Sequence, residues 1–485
     1  MNKIKSIIIV ILFLGLYSCS SDYLDVTPGN SGDASTSIET FADAEVMLTG
    51  IMSSMTSSSY YGRNFILYAD AKSGDLTTMS MGRGLDGLYS FNHSPTTGSY
   101  SGFWNGIYYS ILQANNLIVN IESLEEEGVE GNFDDLKGQA LTARALMYFD
   151  LVRIYGKPYT YDKSAFGVPN ELEPLDASEQ PLRATVEENY TQIIKDLTDA
   201  ESLLSKDKKD GYLNYYANKA IQARVYLSMA DYPNALAAAQ EVINSGAYDL
   251  YSNSEWVDSW TKQFGKESIF ELAIVPNEAD LGNSSLSIYL RRLGQGSPSA
   301  IGQFIASDYY LDRLGQDPDD VRWGIMDYDE GGQSHLGASY KYSGDINLNG
   351  DGKSTGTAVN IKVIRLSEMY LIAAEAALHS DKQLAADYLN EIRKRSPNLA
   401  PATAGTINID MILDEKSKEL FTEGQRYFDL LRLGKTITFN DDLGGVPIST
   451  RPKSIDRSFY RAILPIPQAE INANPGIEAQ QNPEY

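Results

Sequence analysis

Cysteine is almost missing from this chain of 485 residues: Cys19 is the only one. A lone thiol excludes a disulfide within the chain and any thiolate zinc cluster. Histidine is nearly as scarce. His93, His335 and His379 lie far apart in sequence and leave little material for imidazole-based metal or triad chemistry. Positive charge is in deficit, with 40 Lys+Arg against 65 Asp+Glu and a formal net charge of −25. No basic run of the kind that neutralises phosphates occurs, which argues against DNA or RNA as a partner. General disorder is excluded by a hydrophobic content of 42% beside 22% charged residues. Tyrosine, by contrast, is plentiful: 32 residues against 15 Phe and 4 Trp. An acidic, Tyr-rich chain suits the binding of polar ligands.

The N-terminus carries an address. Met1 to Lys5 is a short basic region, and Ser6 to Leu16 is an apolar stretch of signal-peptide size, too short to cross a bilayer as a helix of about 20 residues. No later segment is long enough to span a membrane. Leu16-Tyr17-Ser18-Cys19 resembles the lipobox of bacterial lipoproteins. The resemblance implies a signal peptide over residues 1–18, cleavage before Cys19 and lipidation of that cysteine. Each buried methylene contributes roughly 0.8 kcal/mol, so two or more acyl chains would hold the protein on the membrane. Residues 19–37, rich in Ser, Asp and Gly, then read as a flexible tether.

At about 150 residues per domain the remainder allows three domains, or one large helical domain with insertions over 38–485. Helical periodicity is clearest over Phe103–Ile121, Gly138–Tyr155 and Glu187–Leu204. Tyr215–Ser228 and Pro233–Asn244 predict a helical hairpin, with Ala223, Tyr226, Ala235, Ala239 and Val242 at tetratricopeptide-repeat offsets. Ile364–His379 and Gln383–Arg395 predict a second hairpin, with small contact residues at Ala373, Ala374, Ala377 and Ala386. Asp410–Leu433 reads as a further long helix or a pair. The expected class is mainly all-α, a helical repeat array with loop-rich insertions. Those insertions, near 57–102 and 249–351, are rich in Gly, Ser, Asp and Tyr, and Ser268–Val275 predicts a short strand.

Several motifs in order resemble the SusD/RagB family of outer-membrane nutrient-binding lipoproteins of Bacteroidetes. Cys19 precedes Asp22-Tyr23-Leu24-Asp25-Val26-Thr27-Pro28, and Trp104, Tyr108, Ile111 and Ala114-Asn115 follow. Then come Ala143-Arg144-Ala145, Tyr148-Phe149 and Tyr155-Gly156, and the exit Ser245-Gly246-Ala247-Tyr248 from the repeat hairpin. The C-terminal part adds Arg365, Glu368-Met369-Tyr370-Leu371, Glu419-Leu420, Glu423-Gly424, Arg426, Asp429-Leu430, Arg432, Leu464-Pro465-Ile466-Pro467 and Gln481-Asn482-Pro483. One departure stands out. Where the family usually carries arginines before Glu419, this chain has Asp414-Glu415-Lys416-Ser417-Lys418, which predicts a weaker ion-pair network there. Glu368, Glu375, Glu423, Arg426, Asp429 and Arg432 read as that network.

The resemblance implies a lipid-anchored protein on the outside of the outer membrane. Such a protein binds an oligo- or polysaccharide and hands it to a SusC-like TonB-dependent transporter, with no enzymatic activity. It also implies a ligand site on loops from the two insertions. Sugars offer flat C–H faces ringed by hydroxyls, which aromatic rings stack on and Asp, Asn or Arg side chains hydrogen-bond. On composition, Tyr61, Asp75, Tyr89, Tyr100, Trp323 and Tyr340 are the candidate ligand residues. Trp104, Trp256 and Trp260 look like packing anchors. A tetratricopeptide-type protein adaptor is the alternative, and a glycoside hydrolase with paired carboxylates a more remote one. Finally, Asp345-Ile346-Asn347-Leu348-Asn349-Gly350-Asp351-Gly352 resembles the opening of an EF-hand calcium loop. Asp345, Asn347, Asn349 and Asp351 are candidate ligands to a structural calcium. Counting twelve positions from Asn347 gives Ala358, not a Glu, so a turn built on Asn-Gly and Asp-Gly is the competing reading.

Overall fold

The computed structural model describes residues 38–485, apart from 80, 83, 176–177, 329–335, 354 and 446. Side chains of residues 98–101 and 444 are also left undescribed. Cys19, and with it the expected leader and tether, lies outside the described residues.

The chain is mainly helical. In order, the helices used below are α1 (Phe41–Ser54), α2 (Asn64–Ala71), α3 (Gly98–Glu126), α4 (Phe133–Tyr155), α5 (Val186–Glu201), α6 (Tyr215–Ser228) and α7 (Tyr232–Ile243). They are followed by α8 (Asp308–Leu314), α9 (Leu366–Ala377), α10 (Lys382–Arg393), α11 (Ile409–Glu419) and α12 (Arg426–Arg432). Their starts are chemically marked. Thr40 with Asp43, and Thr185 with Glu188, close reciprocal capping boxes on α1 and α5. Asn214, Asp231, Asp381 and Asn408 accept first-turn amides of α6, α7, α10 and α11. Each such cap contributes about 1 kcal/mol.

Helices stack as expected of repeats: α4 lies between α3 and α5, α7 packs on α6 and α9, and α9 packs on α10. Ala223, Ala235 and Ala239 are fully buried where α6 and α7 cross, as are Ala373, Ala377 and Ala386 in the α9–α10 hairpin. Small side chains there let the helix backbones approach closely. One continuous core runs through the repeats and the strand-rich part, and a second, smaller one lies between α9, α10 and α11.

The remaining chain forms short strands: β1 (Leu76–Thr78), β2 (Ser268–Leu272), β3 (Phe304–Ala306), β4 (Met326–Tyr328), β5 (Leu336–Ser339) and β6 (Ile361–Arg365). All pairings among these are antiparallel: β1 with β3, β2 with β6, and β4 with β5. Two sequence expectations change here, and one left open between a long helix and a pair is decided for the pair. The helix expected from Ile364 starts at Leu366, because Ile361–Arg365, with β-branched Ile361, Val363 and Ile364, joins β2 as a strand. The stretch Asp410–Leu433 is a pair, broken where Thr422 and Gly424 both take positive φ. The insertion near 57–102 holds α2 and β1 deep in the protein and is far from a plain loop.

A buried ionic network ties the strands to the C-terminal helices. Arg365, at the end of β6, donates to Glu267, Glu419 and Glu423 at 2.7–3.0 Å. Lys341, just past β5, donates to Glu423 (2.7 Å) and to the Phe421 carbonyl (2.7 Å). Arg432 meets Glu375 and Asp429. The expected weakening at 414–418 does not occur. Lys416 reaches Glu375 (3.0 Å) and Asp429 (3.1 Å), and Lys418 reaches Glu415 (3.1 Å), so lysines fill the cationic positions.

Candidate functional site

Most of the aromatic candidates turn out to be interior. The Tyr61 and Tyr60 hydroxyls both donate to Asp150, at 2.7 and 2.6 Å, and both rings are buried. Tyr89 is buried against Phe439 and under Arg451, and its hydroxyl donates to Asp441 (2.8 Å). Burial pushes its phenol far up from the ordinary tyrosine range. Tyr340 is fully buried. Asp75 is buried too, accepting from Ser417 (2.6 Å) and paired with Arg426 (2.9 Å) and Arg313. These four are corrected from ligand groups to anchors. A tyrosine with a buried carboxylate for its hydroxyl costs little to bury, and composition cannot distinguish it from an exposed one. Trp323 is half-buried, with its indole donating to the Asp317 carbonyl at 3.3 Å. Tyr100 lies on α3, but its side chain is outside the described set. Trp104, Trp256 and Trp260 are buried anchors, as read from sequence.

The two insertions nevertheless meet. Pairing of β1 with β3 joins residues from the first to residues from the second, with Leu76 opposite Ala306 and Thr78 opposite Phe304. The Met79 amide extends the ladder to the Gln303 carbonyl (3.1 Å). Strand β3 in turn lies against β5, which pairs with β4. Around this strand-rich face stand exposed side chains outside the six chosen on composition: Met81, Leu293 and Tyr328, the last 48% exposed. Arg292 and Asp327 sit between them as a loose ion pair at 3.6 Å, and Arg292 also donates to Gln295 (3.0 Å). Behind them the buried Arg291 donates to the Pro298 carbonyl (2.8 Å) and fixes the loop. Gly302 has φ +58°, and a Cβ there would stand 2.6 Å from the Leu293 amide, so only glycine fits.

Chemically, the face offers an exposed phenol ring and apolar side chains beside a guanidinium, a carboxylate and an amide. That combination can stack on and hydrogen-bond a hydroxylated ligand. Among the described side chains of this group the one carboxylate is Asp327, 3.6 Å from Arg292.

The calcium candidates do not converge. Asp345 accepts from the amides of Asn347 (2.8 Å) and Asn349 (3.3 Å) and from the Asn349 side chain (2.6 Å). Asp351 is buried and accepts from Lys353 Nζ (2.8 Å) and the Asn360 amide (2.8 Å). The Lys353 ammonium also reaches the Ala358 carbonyl (2.9 Å), and no three His, Cys, Asp or Glu side chains cluster for a metal among the described residues. The hydrogen bonds in place around Asp345 are those of a turn.

Helical repeats carrying a strand-rich face with exposed aromatic and polar groups define a helical-repeat scaffold protein. Comparisons narrow the class. Residues 22–227 match a family described as SusD-like, "starch-binding associating with outer membrane", and residues 338–485 match the SusD family. The chain is 33% identical, with a TM-score of 0.83, to a SusD superfamily protein of Bacteroides thetaiotaomicron, covering 92% of this chain and all of that one. A laminarin-binding SusD-like protein superposes with a TM-score of 0.71 at 25% identity, covering 92% of this chain and all of that one. SusD-like protein P2 of Formosa agariphila is 26% identical over the full length of both chains. The protein belongs to the SusD/RagB family.

Proposed function

We propose that the protein binds oligo- or polysaccharide at the cell surface and delivers it to a SusC-like TonB-dependent transporter, without altering it chemically. The observation that carries this reading is the strand-rich face, where Tyr328, Leu293 and Met81 are exposed beside Arg292, Asp327 and Gln295. Family membership supports it, as does the likeness to a laminarin-binding protein. The lipobox-like Leu16–Cys19 supports a lipid anchor in the outer membrane, with residues 1–18 removed and 19–37 as tether. Among the described residues no helix is long and apolar enough to cross a membrane. Binding should fall in the micromolar to millimolar range, about 4–8 kcal/mol, since a polar, wet site must release its ligand to a pore. The test is a panel of purified polysaccharides assayed for retention of the protein in affinity gels and for released reducing sugar. Retention without release supports the reading; release would make the protein a hydrolase, and no retention by any glycan would overturn it.

A further inference from the structure

A cavity of about 330 Å³ opens between the last turn of α10 and the loop that follows it, and shares no lining residue with the strand-rich face. Asn390, Arg393 and Lys394 line it from the helix, and Pro397, Leu399 and Pro401 from the loop. Its size lies at the lower end for small-molecule sites and suits a ligand of about one or two rings. The loop is fixed by its own hydrogen bonds. Asn390 donates to the Ala402 carbonyl (2.9 Å) and accepts from the Ala402 amide (2.7 Å), and Arg393 Nε donates to the Ala400 carbonyl (2.9 Å). Asn398 donates to Asp317 (2.8 and 2.9 Å) and to Asp319 (2.8 Å). Pro397 and Pro401, which have no amide hydrogen to satisfy, stand exposed.

The charge beneath this cavity runs against the net −25 of the chain. Ser396, at its base, accepts from Arg322 (3.0 Å) and Lys418 (3.3 Å). Arg322 pairs with Asp320, Glu415 and Glu419, which joins this cluster to the buried network of Arg365 and Lys341 with Glu267, Glu419 and Glu423. Arg395 attaches to Glu267 and Glu419, and Lys418 and Arg393 attach to Glu415. Among the described side chains, six cations are thus linked to five carboxylates. Arg393 is the most exposed of the six. Its partner Glu415 stands 3.5 Å away and already holds Arg322 at 2.7 Å and Lys418 at 3.1 Å. Lys394 beside it meets Glu391 (2.6 Å) in a surface pair of small worth, which a competing anion can displace. A guanidinium whose Nε is spent on the loop and whose Nη groups are loosely held matches a carboxylate, which accepts two N–H bonds in one plane. The apolar walls of Pro397, Leu399 and Pro401 suit the C–H face of a ring. We infer that this cavity binds a carboxylated sugar, a uronate, with Arg393 on the carboxylate and the loop against the ring. The choice of an acid rests on Arg393, and the choice of a sugar rests on the glycan binding proposed above.

The experiment titrates the full-length chain in mild detergent with glucuronate and galacturonate, with glucose and acetate as controls, and reads binding by saturation-transfer difference NMR. At least one uronate should bind with a dissociation constant in the millimolar range, and glucose and acetate about tenfold more weakly or not at all. Arg393→Gln should weaken uronate binding by about tenfold or more, and Lys394→Glu by about fivefold. Retention of both variants by neutral polysaccharide gels should match wild type, because the strand-rich face is untouched. Arg393 also ties down the loop, so melting curves accompany the titrations; should Arg393→Gln melt early, the exposed Lys394→Glu decides. Uronate bound equally by wild type and Lys394→Glu would overturn the assignment. Glucose bound as tightly as a uronate would show that the acid is not read, and acetate bound as tightly would show that the ring is not read; either overturns the inference. If glycan gels retain the wild type and no uronate binds, the proposed function stands and this site falls. If neither binds, both fall.

Discussion

Asp75 separates a packing anchor from a ligand group, and its removal has a calculable consequence. Asp75→Ala deletes the carboxylate that Arg426 meets at 2.9 Å and that also takes Arg313 and the Ser417 hydroxyl (2.6 Å). Breaking a buried ion pair from one side costs about 3–5 kcal/mol, because the remaining charge is left without a partner. Two features lower that figure here. Arg426 keeps its bond to the Leu413 carbonyl (2.8 Å), and Arg313 is partly exposed, with Asp414 at 4.0 Å, so water and a second carboxylate take up part of its charge. About 3 kcal/mol is therefore expected. Unfolding entropy of roughly 2.1 cal/mol/K per residue over roughly 450 residues gives about 0.9 kcal/mol/K, so the melting temperature should fall by about 3 °C. Scanning calorimetry reads that shift, and isothermal titration with an oligosaccharide should give the wild-type affinity. A variant that melts like wild type yet loses the sugar would refute the reasoning and return Asp75 to the ligand site.

At the strand-rich face the opposite pattern is expected: Tyr328→Ala should weaken glycan binding by about 1–2 kcal/mol in titration calorimetry and leave the melting curve unchanged. A pH effect comes from Asp70, whose carboxyl is pushed well above the usual range, first by burial and then by the neighbouring carboxylates Asp75 and Glu423. A raised carboxyl favours the folded state fully below the unfolded value near 4 and loses that contribution as pH rises. Asp70→Asn, which can still accept the Gly424 amide, should thus be more stable than wild type at pH 7, with the gain shrinking toward pH 4 in paired melting curves. For the turn at 345–352, EDTA should leave the melting temperature unchanged and elemental analysis should find no stoichiometric calcium; a drop in EDTA would restore the calcium loop.

How much of this was legible follows from what periodicity records. The α6–α7 and α9–α10 hairpins could be read because alanine at close crossings and apolar residues at helical spacing are local signals. Within the buried ionic network only Asp429 with Arg432 is a local, helically spaced pair; Glu375 and Glu423 meet Arg432 and Arg365 across 57 and 58 residues. Helix α1 was missed although Thr40 and Asp43 spell its capping box, a signal passed over in a Ser- and Thr-rich stretch. The ligand candidates failed for a different reason. Tyr61, Tyr89 and Tyr340 sit in segments without period, and their burial depends on partners 89 residues away for Tyr61 and 352 for Tyr89. Nothing local distinguishes them from Tyr328, which stayed outside.

The buried charges explain why the strand-rich face can hold a fixed shape on so little regular sheet. Strands β1, β3 and β4 have only three residues each, too few for their ladders to fix their own placement. Hydrophobic contact below them is non-directional and would tolerate sliding. Arg365 and Lys341 remove that freedom. The planar guanidinium of Arg365 reaches three carboxylates on two separate segments, and Lys341, two residues past β5, meets one of the same carboxylates. Glu419, held well below the ordinary carboxylate range, and Glu423, held below its ordinary value, are both kept ionised at physiological pH by Arg365 and its neighbouring cations. The strands are thereby registered on α11 and the turn after it, and the exposed groups they carry are set before any ligand arrives. A face set in advance loses less entropy on binding, so a ligand held there by few contacts would be bound more tightly than on a mobile surface.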